Sequence, residues 1–301
     1  MIELNKKELL NGIIAKGMRM RYGSNPNKWV MLRRMWEMKH IVDAGYIDHY
    51  LVAFWIFRHY AKLSNINYWG RGAMSSSVVC YCLGLTEVDP LRYGLHAARF
   101  VNNEPPMFQF DIEKTRMDEF VNQVGKILVK DASFFNMAGL RPCILGNITP
   151  MEYLGKRRQM HIPSDLDHEV ACFALSFPDT MKLYETYNRR QNGDAWSRTG
   201  IIILDRILAP TYGLLIYQEQ MLDILKSLFN LNGIEANLIR RSIQKGDAKQ
   251  ISAYKARILS KCSYQFDSEL GWSILISNPK AFLKAHAVSR VLAMHQFEFK
   301  N

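Results

Sequence analysis

Residues Tyr68–Pro90 read YWGRGAMSSSVVCYCLGLTEVDP. Two glycines flank an arginine, and three serines then open an apolar run. A tight Gly-Arg-Gly turn at the head of a helix lets backbone N–H groups converge on an anion, where the helix dipole and the unpaired first-turn donors both favour negative charge. Gly70, Arg71, Gly72, Ser75, Ser76 and Ser77 are therefore candidate phosphate contacts. The alternative is that the glycines only turn the chain. The context is the one a phosphate site requires: Ile66–Trp69 is predicted as a short strand entering the turn, and Ser75–Leu85 as the helix leaving it, with Asp89-Pro90 closing the unit.

Upstream, Asn25-Pro26 is predicted to cap and open a helix in which Val30, Met31, Met35, Met38, Ile41 and Val42 recur at helical spacing until Gly45, a stripe that reads as core. A second apolar helix is expected over Tyr50–Leu63. Downstream, MFQFDIE (Met107–Glu113) alternates as a strand, with Gln109, Asp111 and Glu113 on one face and Phe108, Phe110 and Ile112 on the other. Two acids two apart on a strand can share a divalent cation, and the competing reading is an exposed edge strand. Lys114–Asp131 reads as a charged helix with Phe120, Val121, Val124 and Ile127 on its packed side. The segment HIPSDLDHE (His161–Glu169) gathers histidines and acids that could bind a metal, but Ser164 with Asp167 also forms a capping box, the favoured reading, because one short segment seldom surrounds an ion unaided. In LIRRSIQK (Leu238–Lys245), Arg240, Arg241 and Lys245 form a basic run whose alternative is a solvated helix face.

Composition bounds these readings. With 301 residues, 48% hydrophobic and 12% aromatic, the chain can bury one large core or two smaller ones, which excludes disorder. Lys and Arg outnumber Asp and Glu by 39 to 28, a net charge of +11 that favours polyanions. No segment has the apolar length to span a bilayer, and MIELNKKELLNG lacks the pattern of a signal peptide, so a cytoplasmic protein without membrane partners is expected. Five scattered cysteines without paired CxxC knuckles read as reduced interior thiols.

Four ordered blocks resemble the palm and fingers of the bacterial replicative DNA polymerase III α subunit, the C family of DNA polymerases. GRGAMSSSVVCYCLGLTEVDPLRYGL is similar to the family's Gly-Arg-Gly-Ser block, which cradles the incoming nucleotide's phosphates. MFQFDIE falls where the family has its paired catalytic aspartates. APTYGLLIYQEQM (Ala209–Met221) resembles the fingers motif, and LIRRSIQKG follows it with the arginine pair that contacts the triphosphate. AFLKAHAVSRVLAMHQ (Ala281–Gln296) resembles the Lys-Ser-His segment and retains Lys284 and His286. The resemblance implies an α+β, mainly helical fold: a C-family polymerase-like palm of the nucleotidyltransferase type over residues 1–146, with N-terminal helices, and helical fingers over 147–301.

The same resemblance marks departures. Of the catalytic positions, the first aspartate is Gln109, the second is kept as Asp111 with Glu113 following, and the third, matched through FNMAGLR, is Asn136. Two carboxylates have become amides, so any Mg²⁺ held by Asp111 and Glu113 is expected to be weakly bound. Only 22 residues, Lys114–Phe135, stand where the family inserts a thumb, so no thumb is expected. The family's N-terminal metal-dependent domain and its C-terminal clamp and oligonucleotide-fold regions are also expected to be lacking. Three functions follow: a DNA- or nucleotide-phosphate-binding protein without processive synthesis, an enzyme of limited nucleotidyl or other transfer on DNA, and a polymerase mimic that engages replication proteins. DNA is the expected partner of the first, and nucleotide or pyrophosphate a further ligand.

Overall fold

A computed structural model describes residues 5–61, 64–130, 143, 148–151, 153–154, 165–260 and 265–299. The chain divides into a first unit, Met1–Ile162 with Val288–Asn301, and a second unit, Pro163–Ala287. It is mainly helical with a small sheet, as the α+β reading expects.

The first unit opens with α1 (Lys6–Tyr22), α2 (Lys28–Asp43) and α3 (Ile47–Phe54), the last continuing as a π-helical turn, Trp55–Tyr60. The cap of α2 is Asn27, not Asn25: its side chain accepts from the backbone N–H of Trp29 and Val30, and Pro26 lies outside the helix. The methionine stripe is split, with Val30, Met38 and Ile41 buried but Met35 61% exposed. Strand β1 (Tyr68–Arg71) begins two residues later than expected, so Gly70 and Arg71 belong to the strand and a 3₁₀ turn, Gly72–Ser76, makes the corner. Helix α4 (Val78–Leu83) is correspondingly shorter, with Ser77 as its N-cap.

Strand β2 (Gln109–Glu113) lies between β1, antiparallel, and β3 (Ile148–Met151), parallel, so it is the central strand of this sheet rather than an edge. Its alternation divides as expected: Phe108, Phe110 and Ile112 are fully buried in a core with Phe57 stacked on Phe110. Helix α5 (Met117–Lys130) adds Phe120 and Val124 to that core. A short pair, β4 (Tyr153–Leu154) with β5 (Glu298–Phe299), ties the C-terminal segment to the first unit.

The second unit comprises α6 (Leu166–Leu175), α7 (Pro178–Met181), α8 (Tyr184–Gln191), α9 (Ile202–Leu208), α10 (Gln218–Ser227), α11 (Gly233–Lys245), α12 (Ala248–Leu259) and α13 (Gln265–Ser277). Its core gathers Leu204, Met221, Ile224, Ile239, Trp272 and neighbours. The cap of α6 is Asp165, which accepts from the His168 N–H, rather than the Ser164–Asp167 box; Ser164 and His161 lie outside the described residues. Helix α14 (Lys284–Gln296) starts in the second unit and ends in the first. Cys80, Cys82 and Cys143 are buried free thiols, as the sequence suggested, and burial pushes Cys82 up to about 12; Cys172 is only half-buried, and Cys262 lies outside the described residues.

Candidate functional site

The sheet register decides what surrounds Asp111. Trp69, Asp111 and Thr149 are cross-strand neighbours, and Arg71 pairs with Gln109, so these side chains share the face opposite the phenylalanines. The middle of α14 supplies the rest: Trp69 Nε1 donates to the Ser289 carbonyl and hydroxyl, and Ser289 Oγ donates to the Gly70 carbonyl at 3.0 Å. The next residue, Arg290, thereby reaches Asp111.

Asp111 is 1% exposed and carries two guanidinium partners. Arg71 Nε is 2.8 Å from Oδ1 and Arg290 Nη1 is 2.6 Å from Oδ2. Thr149 Oγ1 also donates to Oδ1, and Arg71 reaches Gln109 Oε1 and Thr149 Oγ1 with its remaining nitrogens. Burial holds the Arg290 guanidinium below its ordinary value, Asp111 opposing the shift and Arg71 adding to it. Glu113, at the strand's end, accepts from Asn67 Nδ2 and Thr115 Oγ1. Asn136 lies outside the described residues. Arg290 was not among the residues singled out in the sequence; it lies within the segment that resembles the Lys-Ser-His block, but its approach to Asp111 spans 179 positions.

The Gly-Arg-Gly corner meets this face directly. Gly72 has φ +73°, and a Cβ there would fall on Gln109 Oε1; a Cβ on Gly70 would strike the Leu85 carbonyl. The serines, however, turn inward. Ser75 Oγ bonds to Thr86 Oγ1, Ser76 Oγ donates to the Ala73 carbonyl, and Ser77 Oγ donates to Glu37 Oε2 at 2.7 Å. Glu37 is fully buried and also accepts from the N–H groups of Val78 and Val79, both at 3.0 Å. The helix start thus holds a carboxylate of the chain itself, neutralised by Arg33 at 2.9 Å. The corner brings Arg71 to Asp111 but spends its serines on internal bonds.

In the second unit the same device recurs. Glu219, 2% exposed, accepts from the backbone N–H of Lys284 at 2.8 Å and of Ala285 at 3.0 Å, capping α14. Its neighbour Gln220 accepts from Ile216 and Tyr217 N–H groups and donates to Thr211 Oγ1 and the Ile207 and Leu214 carbonyls. The stretch APTYGLLIYQEQM is therefore a hydrogen-bonded knot that sets the start of two helices. Lys284 lies over the Tyr217 ring, and His286 lies among Phe173 and Phe282. Arg240 is 2% exposed and bonds to Asn237 Oδ1 and Gln244 Oε1, which overturns the solvated-face alternative for it. Arg241 is partly buried and Lys245 exposed.

Among the described residues no group of three or more His, Cys, Asp or Glu side chains converges as metal ligands would, and no helix is long and apolar enough to cross a membrane. The family model described as the bacterial DNA polymerase III alpha NTPase domain matches residues 8–134, and that of the bacterial DNA polymerase III alpha subunit finger domain matches 154–265. Among similar proteins, the error-prone DNA polymerase of Anaeromyxobacter sp. (strain K) is 34% identical over 119 residues, 38% of this chain and 10% of that protein. Error-prone DNA polymerase 1 of Rhizobium meliloti (strain 1021) is 32% identical over 127 residues, 41% and 11% respectively. The error-prone DNA polymerase of Hahella chejuensis (strain KCTC 2396) is 36% identical over 115 residues, 37% and 11%. The matched stretch spans about a tenth of the length of these relatives.

Proposed function

Because the chain is DNA polymerase III α-like across both matched segments, we infer that it binds DNA or nucleotide phosphates and does not carry out processive synthesis. The observation that supports this most strongly is the condition of Asp111, both of whose carboxylate oxygens are engaged by arginine. Synthesis on a two-metal palm needs several anionic oxygen donors free to hold divalent ions across the attacking hydroxyl and the α-phosphate. Gln109 offers only a neutral amide, and Glu113 already accepts two hydrogen bonds. This donor set does not fit Mg²⁺.

It fits an anion better. Two guanidinium groups flank Asp111, with Glu113 held by Asn67 and Thr115 at the strand's end, and Arg290, 30% exposed in its side chain, is the group with donors to spare for a phosphate oxygen. Arg241, Lys245, Lys284 and His286 supply the second unit's phosphate contacts in this reading. DNA is the proposed macromolecular partner, with nucleotide or pyrophosphate as the smallest ligand of the same chemistry. The 22 residues between β2 and position 136 leave no room for a module that grips duplex, a separate reason for rapid dissociation.

Fluorescence anisotropy of a labelled primer-template, titrated at several salt concentrations, tests the binding half. Log affinity is expected to fall linearly with log salt, by about 0.9 per duplex phosphate neutralised. Absence of binding at low salt overturns the reading in favour of a protein partner.

A further inference from the structure

A polar cavity of about 330 Å³ runs along β1 in the first unit, lined by Arg58, Asn65, Asn67, Gly84, Thr86 and Glu87 among others. A second hollow of about 250 Å³ also uses Arg58, Gly84 and Glu87, and adds Arg21. The first volume lies in the range of small-ligand sites. Arg58 sits in the π-helical turn, partly exposed, and among the described residues its guanidinium has no hydrogen-bond or ion-pair partner. Gly84 makes room for it: at φ +69° a Cβ there would come within 2.8 Å of Arg58 Nε. Glu87, the carboxylate in the same cavity, is held by Arg21 at 2.7 Å. Asn67 lends its amide to Glu113.

A guanidinium with no partner among the described residues, packed over glycine in a cavity whose one carboxylate, Glu87, is already neutralised by Arg21, is an open fork of N–H donors. Its geometry suits a tetrahedral or planar oxyanion, which it binds through two parallel hydrogen bonds. We propose that Arg58 and this cavity form an oxyanion site for the phosphate group of a small ligand. The site belongs to the open side of β1 and uses neither Asp111, Arg71 nor Arg290, so it does not depend on the DNA-binding reading.

Isothermal titration with inorganic phosphate, then pyrophosphate, tests it on the whole chain at low salt. Saturable binding is expected, weakened at least tenfold in Arg58→Gln and partly restored in Arg58→Lys, with urea midpoints of all three chains unchanged to show that each folds. A 5′-phosphorylated dinucleotide identifies the source: displacement of phosphate by it assigns the group to a nucleic-acid end, and no displacement assigns it to a free phosphorylated small molecule. Absence of saturable phosphate binding, or an Arg58→Gln chain that binds within twofold of the parent, overturns the proposal. Should Arg58→Gln fail to fold, phosphate binding in folded Arg58→Lys that is measurably weaker than the parent's supports the site, and parental affinity there together with phosphate-independent protection of Arg58 from guanidine-directed modification overturns it.

Discussion

With both oxygens of Asp111 taken by arginine, replacing it by asparagine leaves Arg71 and Arg290 facing each other without a counter-charge. Removing one partner of a buried pair in this way is expected to cost about 3 kcal/mol, read as a lower urea midpoint at unchanged slope, whereas Glu113→Gln at the strand's more exposed end should cost under about 1 kcal/mol. His49 provides a pH signature. Burial lowers its pKa from the ordinary 6.5, so the unfolded chain binds more protons between the folded and unfolded values. Its contribution is therefore complete above about 6.5 and is lost as pH falls below it, a decline that His49→Gln should flatten in urea titrations at pH 7.5 and 5.5. Residue types in contiguous blocks were legible, but their partners were not: Ser77 donates to Glu37 across 40 positions and Asp111 accepts from Arg290 across 179. Arg240 is the exception, because Asn237 and Gln244, at i−3 and i+4 on the same helix face, are a local signal that its charge is satisfied inward.

At the level of elements, two helix starts are closed by carboxylates from elsewhere in the chain, Glu37 on α4 and Glu219 on α14. Glu219→Ala strands two N–H groups and should cost about 2 kcal/mol, with faster hydrogen exchange at Lys284 and Ala285 while amides of α12 stay protected. The strand face of MFQFDIE was readable because a period of two sends Phe108, Phe110 and Ile112 to one side whatever the neighbours are. Its central position was not, since that depends on β3, which pairs with β2 from 38 positions away at Thr149 and Asp111. Cap positions slipped for a local reason: Asn25 and Asn27 are both competent residues, and only the second has a helical N–H pair in reach. The corner at Gly70–Gly72 was legible as a turn, but an apolar helix headed by serines looks the same whether its anion is a phosphate or a buried glutamate.

For the whole molecule, the net charge of +11 sets the long-range attraction to a polyanion, while individual contacts set its salt dependence. Arg241→Ala with Lys245→Ala should lower DNA affinity and reduce the salt slope by about 1 to 2; Arg240→Ala, by contrast, should lower the unfolding midpoint, because that arginine is buried. Division by chain order was only partly legible, since Val288–Asn301 rejoins the first unit and brings Arg290 with it. The central claim is that Asp111 serves as a counter-ion to arginines and not as a catalytic metal ligand, so that DNA is bound without synthesis. The direct measurement is extension of a labelled primer on its template by this chain with all four nucleotides and Mg²⁺, at a protein concentration that saturates the DNA in the anisotropy titration. The account predicts bound but unextended primer; multi-nucleotide extension that disappears in Asp111→Asn would contradict it.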